Sequence, residues 1–452
     1  MNRIILIGNG FDLAHGLPTA YVHFVHAYHE VCKSQLSQNS LGYEDKLCSI
    51  KISDPEDQRT LKQLYWYLNG SASLISHSPV METCADQLNQ LYNSSLKYKS
   101  HLFASINKNI KDKNWVDIEN EYYLWLKRLL KKEKCAYADP LQLNQDLEII
   151  KEYLIGCLLP IQKRLILPEL VKACIRDTIY EPFSIRDISV GRQQDFRQFI
   201  QSRWKSAHTE DAASRQTLAA NYGYSSEELE QQIRSYGFRK DMSTTELFQH
   251  IEARRPDVPA YYLLPDQVLL LNFNYTTMAD LYLPEGSAFQ VNHIHGELAN
   301  GDNPIIFGYG DELDEDYKAI SNLNDNAYLT NIKSIRYLET DNYRRLLSFI
   351  NASPYQIYIM GHSCGNSDRT LLNTLFEHRN CVSIKPYYHL KEDGTDNYIE
   401  LIQNISRNFN DMQLMRDRVV NKSYCRPLVP AGVRQIEYRQ YLERTQNCRK
   451  NE

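Results

Sequence analysis

The sequence predicts an α/β protein, with a Rossmann-like core of parallel strands that a large α-helical insertion interrupts. The chain begins with an uninterrupted apolar run at residues 4–8, which is typical of a strand buried on both faces. Comparable runs do not recur until about residue 267, and most of the chain between them has apolar residues at helical spacing. The first strand must therefore find its partners late in the chain.

The strand-like segments are short, rich in apolar and β-branched residues, and bounded by turn residues. They are residues 4–8, 267–274, 289–295, 304–308, 356–361 and 381–387. A further helix is expected at 367–379, after the fifth of these strands. The predicted domains are a discontinuous core of residues 1–35 and 262–400, a helical insertion of 36–261, and a C-terminal helix and tail of 401–452.

The overall composition disfavours several classes of protein. The chain has 452 residues, 42% of them hydrophobic, and a net charge of -5, which disfavours a generic nucleic-acid or membrane-surface binder. It shows no apolar run of 18 residues and no signal peptide, so we expect a cytoplasmic protein. The ten cysteines are scattered without any Cys-x-x-Cys pair, and we expect reduced thiols and no bound metal.

A glycine-rich loop, GNGFDLAHGLPT, follows the first strand directly. Doubly wound folds hold phosphate at this position, where Gly8 and Gly10 would let the backbone approach a ligand. The loop continues with Asn9, Phe11 and Asp12, but it lacks the third glycine of the dinucleotide fingerprint and the lysine of a P-loop. Two interpretations stay open: a nucleotide-binding loop, or a tight strand-to-helix turn without a ligand.

Two asparagines, Asn272 and Asn274, end the second predicted strand. Asparagine is depleted in strands, and the alternation places both side chains on one face or at the strand end. Their side chains either stabilise a strand-terminal turn or hold a water molecule or a ribose hydroxyl.

Two histidines, His293 and His295, alternate along the next strand and precede Gly296. They are candidates for a structural role, for metal binding or for proton transfer. No third metal ligand occurs at a convincing spacing, and His295 beside the glycine is the better-placed candidate base.

The segment GHSCG at residues 361–365 follows a strand and precedes a helix, as the nucleophile elbow of a serine hydrolase does. Only His378 and His389 lie downstream of Ser363, which leaves little room for a strand that carries the acid. The alternative is that this loop closes a nucleotide site, with Gly361 in the turn and with Ser363 and Asp368 against sugar or phosphate.

Taken in order, four segments resemble the sirtuin-like defence proteins, in which they surround one NAD-shaped pocket. The segments are GNGFDLAHGLPT, NFNYT, HIHGEL and IYIMGHSCGNSD. The chain is similar, more closely, to the bacteriophage abortive infection AbiH family. That similarity is carried by ILIGNGFDLAHGLPTAY at the start, NWVDIE at 114–119 and PIIFGYGDE at 304–312, and it extends to about residue 420.

The resemblance implies an antiphage effector that hydrolyses NAD to nicotinamide and ADP-ribose when a phage-derived activator triggers it. It implies Asn274 and His295 as the catalytic pair. The residues it implies for NAD binding are Gly8, Asn9, Gly10, Phe11, Asp12, Asn272, Gly361, Ser363 and Asp368. The paired Cys-x-x-Cys zinc module of protein-deacylating sirtuins is absent, which favours NAD over acyl-lysine as the substrate and no metal.

Two other classes of function stay open. The pocket could bind NAD or ADP-ribose only as a signal, with the helical insertion acting as a sensor or a partner surface. A nuclease or nucleic-acid-directed toxin is disfavoured by the acidic balance of the chain. By analogy with sirtuin-like effectors we also expect a homo-oligomer, and the absence of an apolar run of 18 residues predicts no membrane association.

Overall fold

The structure is a computed structural model. The residues it describes are 1–39, 41–70, 79–113, 117–165, 170–208, 212–225, 227–228, 230–231, 233 and 243–432. Three predicted segments fall partly outside these ranges: residues 114–116 of NWVDIE, several stretches of the helical insertion, and the tail from residue 433.

The secondary structure alternates as an α/β chain. The strands are β1 (Asn2–Ile7), β2 (Gly42–Glu44), β3 (Cys48–Lys51), β4 (Leu96–Tyr98), β5 (Val268–Asn272), β6 (Gln290–His293), β7 (Tyr355–Met360) and β8 (Cys381–Tyr387). The first α-helices are α1 (Asn9–Ala14), α2 (Tyr21–Gln38), α3 (Pro55–Gly70), α4 (Pro79–Ser95), α5 (His101–Lys113), α6 (Ile118–Leu130), α7 (Pro140–Gln162) and α8 (Ala173–Ile179).

The remaining α-helices flank and follow the late strands. They are α9 (Gln193–His208), α10 (Ala212–Tyr222), α11 (Thr244–Glu252), α12 (Glu315–Ser321), α13 (Lys333–Arg336), α14 (Asn342–Ala352), α15 (Arg369–Phe376), α16 (Tyr398–Arg407) and α17 (Met412–Arg418). Short 3₁₀ helices occur at Ile185–Asp187, Val190–Arg192, Ala260–Tyr262, Met278–Tyr282, Asn326–Tyr328, Asn366–Asp368 and Lys422–Tyr424.

The chain divides into two compact units. Unit 1 comprises Met1–Pro18, Ile161–Tyr317 and Ile332–Glu452, and unit 2 comprises Thr19–Pro160 and Lys318–Asn331. These bounds differ from the predicted domains, because residues 161–261 group with the first strand and its partners. The difference arises because helical spacing marks an amphipathic helix but not the surface against which its apolar face packs.

Unit 1 contains a five-stranded, all-parallel sheet in the order β6-β5-β1-β7-β8. Every residue of β1, β5, β7 and β8 is buried, as expected for strands covered by helices on both faces. The α/β class and the parallel sheet are therefore confirmed. The order reverses at β1, and in open parallel sheets such a reversal leaves a crevice at the carboxyl ends of the central strands.

One predicted strand is wrong. Residues 304–308 form no strand, although they are apolar and extended. Gly296 turns the chain after β6 with a φ of +85°, and the backbone of residue 304 then packs against this glycine. A hydrogen bond of 2.9 Å from the Ile306 amide to the His295 carbonyl holds the segment across the strand end instead of beside the sheet.

Each face of the sheet has its own apolar cluster. Ile4, Leu6, Ile357 and Ile359 contribute to one cluster, which α14 and α15 help to cover. Arg3 points to the other face, where its guanidinium donates to the Ile179 carbonyl at 3.0 Å and lies over aromatic rings. The period-2 alternation of β1 accounts for this division.

Unit 2 is mainly helical, as the sequence predicts for this part of the chain, but it also contains a small antiparallel sheet. Strands β2, β3 and β4 pair in the order β2-β3-β4. Strands of three or four residues are too short for hydrophobic alternation to be recognised in the sequence.

Candidate active site

The glycine-rich loop after β1 packs directly on the loop after β7. A Cβ atom on Gly8 would lie 2.5 Å from the His362 Cα, and one on Gly10 would lie 2.8 Å from the Gly361 carbonyl oxygen. The Gly10 amide donates to that same oxygen at 2.8 Å. The close approach that these glycines permit is therefore to another backbone segment of the site, and it joins the ends of β1 and β7.

Gly361 offers a stability test of this contact. Its φ is +77°, and a Cβ atom there would lie 2.5 Å from the Gly10 carbonyl carbon. We expect Gly361→Ala to lower the free energy of unfolding by more than the ~1–3 kcal/mol of left-handed backbone strain alone. Gly394→Ala is the matched control, because Gly394 has a φ of +81° and open space around its Cα. Equal losses in chemical denaturation of the two variants would contradict the close packing.

Asp12 and Asn274 tie the glycine loop to the end of β5. The Asn274 side-chain amide donates to Asp12 Oδ1 at 2.9 Å and to the Gly8 carbonyl at 3.1 Å. The Thr276 hydroxyl donates to Asp12 Oδ2 at 2.7 Å. These bonds fix which atom of Asn274 is its nitrogen.

The remaining atom of this amide, Asn274 Oδ1, faces the site. Within the part of the chain that the structure describes, no donor reaches it. The Asn274 side chain as a whole is buried.

The oxygen and the nitrogen of the Asn272 side-chain amide both form hydrogen bonds inside the protein. Its oxygen accepts from the Asn274 backbone amide at 3.1 Å, and its nitrogen donates to the Thr276 carbonyl at 2.9 Å and to His293 Nδ1 at 3.0 Å. His293 Nε2 lies 3.0 Å from Asp280. This arrangement matches the strand-terminal turn that was one of the two interpretations of the asparagine pair.

His295 uses one ring nitrogen for its contacts with the protein. Its Nε2 lies 3.1 Å from the Tyr337 hydroxyl and 3.2 Å from Asp368 Oδ1. Among the described residues no hydrogen-bond partner reaches Nδ1, although the side chain as a whole is buried. Burial, and then the nearby Lys333 ammonium, lower the pKa of His295 to about 4, so the ring is neutral at neutral pH.

Asp368 is the centre of the charged part of the site. Its Oδ1 accepts from the Lys333 ammonium at 2.8 Å and faces His295, and its Oδ2 lies 3.6 Å from His362 Nε2. Burial alone would raise the pKa of this carboxyl, but Lys333 and His295 hold it well below its usual value. Asp368 stands at the start of α15 without capping it, because its side chain orients the two histidines.

The other predicted ligand residues occupy different environments. Asn9 and Ser363 are exposed at the edge of the site. Phe11 is fully buried, and its ring lies 4.7 Å from that of His15 and 5.3 Å from that of Tyr282. Phe11 thus anchors α1 in the interior.

The geometry does not form a serine-hydrolase elbow. The positive φ angles fall on Gly361 and Cys364, not on Ser363. His362 Nδ1 accepts from the Cys364 amide at 3.0 Å, and over the described ranges no histidine ring is hydrogen-bonded to the Ser363 hydroxyl. A serine nucleophile requires such a base within reach.

Sequence reasoning missed three side chains of the site: Lys333, Tyr337 and His362. Lys333 and Tyr337 lie in and after the four-residue helix α13, between strands and outside any motif. His362 lies within GHSCG, where the elbow interpretation treats it as a variable position. Only His362 had a sequence signal, namely a polar residue directly after a buried strand.

The low pKa of His295 predicts how stability changes with pH. In the unfolded chain histidine titrates near its ordinary value of 6.5, and in the fold His295 titrates at about 4. Between these values the unfolded state binds more protons, so folding stability falls as pH falls through this window. We expect the pH slope of the free energy of unfolding to decrease by up to about 1.4 kcal/mol per pH unit in His295→Gln. The exposed His389 is the control, and an unchanged slope in His295→Gln would contradict the neutral buried ring.

Among known proteins, one family model matches the chain. A family model described as "Bacteriophage abortive infection AbiH" matches residues 4–389. No curated protein and no solved structure matches the chain significantly. Throughout the described ranges, we also find no helix with the length and hydropathy that a membrane span requires.

Proposed function

The chain belongs to the bacteriophage abortive infection AbiH family, and from this membership we propose that it is an antiphage effector that hydrolyses NAD⁺ in the site described above. One observation carries the proposal. Two acceptor atoms at the carboxyl end of a parallel sheet, His295 Nδ1 and Asn274 Oδ1, have no hydrogen-bond partner among the described residues, and each side chain is held from behind by a buried carboxylate.

The topology supports a dinucleotide as the substrate. Counted along the chain, the strands of the parallel sheet have the order 3-2-1-4-5, which is the order of the classic dinucleotide-binding sheet. The acceptors follow the second and third of these strands, next to the reversal at β1. The sirtuin-like character of the fold is part of this proposal.

The leaving group in this hydrolysis, nicotinamide, departs as a neutral molecule and needs little help from the protein. Water forms a bond to C1′ of the ribose while the bond from C1′ to the nicotinamide nitrogen breaks, and the electron pair neutralises the pyridinium. The products are nicotinamide, ADP-ribose and one proton. His295 Nδ1 accepts a hydrogen bond from the attacking water, and its low pKa suits a reaction in which the proton leaves late.

Asn274 orients the sugar. Its Oδ1 accepts from a ribose hydroxyl, and its amide nitrogen donates to Asp12, whose negative charge polarises the amide and strengthens Oδ1 as an acceptor. The same carboxylate favours the positive charge that develops on the ribose ring. This explains an acidic residue in a loop where phosphate contacts would favour serine or threonine.

The proposal is tested during infection. Cells that carry the chain are infected with a phage that they resist, and NAD⁺, nicotinamide and ADP-ribose are measured by mass spectrometry. We expect NAD⁺ to fall with an equal rise in both products in the wild type and in the surface control His389→Ala, but not in Asn274→Ala. Protection from phage with unchanged NAD⁺ would contradict the proposed chemistry and favour the signal-binding alternative.

A further inference from the structure

Unit 2 contains a cluster of metal-ligating side chains that the chemistry above does not use. Cys32 in α2, Asp45 in the turn between β2 and β3, and Cys48 at the start of β3 place one ligand atom each within 4.8 Å of one another. In the described part of the chain this is the one such group of three that could hold a metal ion. The sequence led us to expect no metal, because the ten cysteines are scattered without any Cys-x-x-Cys pair.

The turn that carries Asp45 is rigid. Asp45 Oδ1 accepts from the backbone amides of Leu47 and Cys48 at 2.8 Å each. These two hydrogen bonds hold the Asp45 carboxylate against the backbone of the turn, and so they fix it relative to Cys48. A ligand set held in advance loses little conformational entropy when an ion binds.

The separation of the two sulfur atoms suits a shared tetrahedral ion. Cys32 Sγ and Cys48 Sγ are 4.0 Å apart, and both side chains are fully buried. Two thiolates at about 2.3 Å from one Zn²⁺ lie roughly 3.8 Å apart when their angle at the metal is tetrahedral. A disulfide would need the same atoms at about 2.05 Å, so the observed spacing is closer to the metal-bridged arrangement.

A fourth candidate ligand atom, the hydroxyl oxygen of Tyr28, lies beside these three. The Tyr28 hydroxyl is 2.9 Å from Asp45 Oδ2 and 3.1 Å from Cys48 Sγ. The cluster is too buried for its sulfur atoms to contact solvent, so this oxygen takes the position that water holds in open zinc sites. Two thiolates, one carboxylate and one phenol oxygen make a ligand set that favours thiophilic ions over Mg²⁺ or Ca²⁺.

We propose that Cys32, Cys48 and Asp45 bind Zn²⁺ with Tyr28 as the fourth ligand. The site is structural: it joins α2 to the small antiparallel sheet, and it lies entirely within unit 2. The two thiols lose their protons to solvent when the ion binds.

The test uses the full-length chain. Purified protein is analysed for zinc by mass spectrometry, then stripped with a chelator under reducing conditions and titrated with Co²⁺. We expect close to one zinc per chain, and on titration a near-ultraviolet thiolate-to-cobalt band that Zn²⁺ abolishes. Cys32→Ser and Cys48→Ser should lose the band, Cys84→Ser and Cys157→Ser should retain it, and Tyr28→Phe should bind Co²⁺ at least about 10-fold more weakly.

The wild-type protein alone can overturn the proposal, so the test does not depend on variants that fail to fold. Absence of stoichiometric zinc together with absence of the cobalt band would do so. A Cys32–Cys48 disulfide found by mass spectrometry of the non-reduced protein would replace the metal site with a covalent bond. Equal cobalt bands in Cys32→Ser and the wild type would also exclude the proposed ligands.

Discussion

Asp368→Asn is expected to lower the free energy of unfolding by about 3–5 kcal/mol, the usual cost of leaving a buried charge without its partner. The Lys333 side chain is only 1% exposed, and its ammonium donates to Asp368 at 2.8 Å. Asparagine keeps the size of the side chain but removes the charge that offsets this buried ammonium. The same change removes the carboxylate that orients the rings of His295 and His362. Chemical denaturation of the variant at neutral pH measures the loss.

The double variant Asp368→Asn/Lys333→Met separates charge from packing. Replacing both members of a buried pair by groups of similar size is often close to neutral, whereas removing one partner is not. We therefore expect the double variant to be more stable than Asp368→Asn. If it is equally or less stable, Asp368 contributes mainly through contacts other than the one with Lys333, and the charged centre described for the site is wrong.

His295→Ala is expected to reduce NAD⁺ turnover by ~10²–10⁴, the range for loss of a general base. The ring supplies Nδ1, the imidazole nitrogen that we assign to the attacking water. The reduction should appear in kcat, with KM for NAD⁺ changed much less, because the histidine acts on water and not on the sugar. Nicotinamide release under saturating NAD⁺ gives both constants.

Asn274→Ala should differ from His295→Ala in the same assay. Asn274 is assigned to a ribose hydroxyl, so its loss should raise KM as well as lower kcat. The surface variant His389→Ala should retain wild-type constants, because its side chain is exposed. Identical kinetic changes in Asn274→Ala and His295→Ala would contradict the separate roles.

The sequence was most informative where the chain is buried on both sides. The run at residues 4–8 predicted β1, and the late apolar runs predicted β5, β7 and β8, because doubly buried strands leave an uninterrupted apolar pattern. The run at 304–308 shows the limit of this rule. An apolar extended segment packs equally well across a strand end, and here the conformation of Gly296 decides between the two.

The candidate site could be predicted only where its residues lie on the short segments that follow strands. Asp12, Asn274 and His295 do so, and the structure brings them together with Gly361 and its loop at one edge of the sheet. Lys333 could not be found, because it comes from a four-residue helix in a connecting segment.

The cysteine pair shows the same limit in unit 2. Cys32 and Cys48 lie in a helix and a strand, and only tertiary packing brings their sulfur atoms within 4.0 Å. Spacing along the chain identifies a metal site only when its ligands sit on one turn or one hairpin.

The central claim is that the strand ends of the parallel sheet form a site that breaks the nicotinamide–ribose bond. The most direct test is release of labelled nicotinamide from NAD⁺ by the purified full-length protein, alone and with an extract of phage-infected cells. We expect equimolar nicotinamide and ADP-ribose from the wild type in at least the activated reaction, and their loss in His295→Ala. Equal release by the wild type and by His295→Ala, or no release in either reaction while NAD⁺ still binds, would contradict the account.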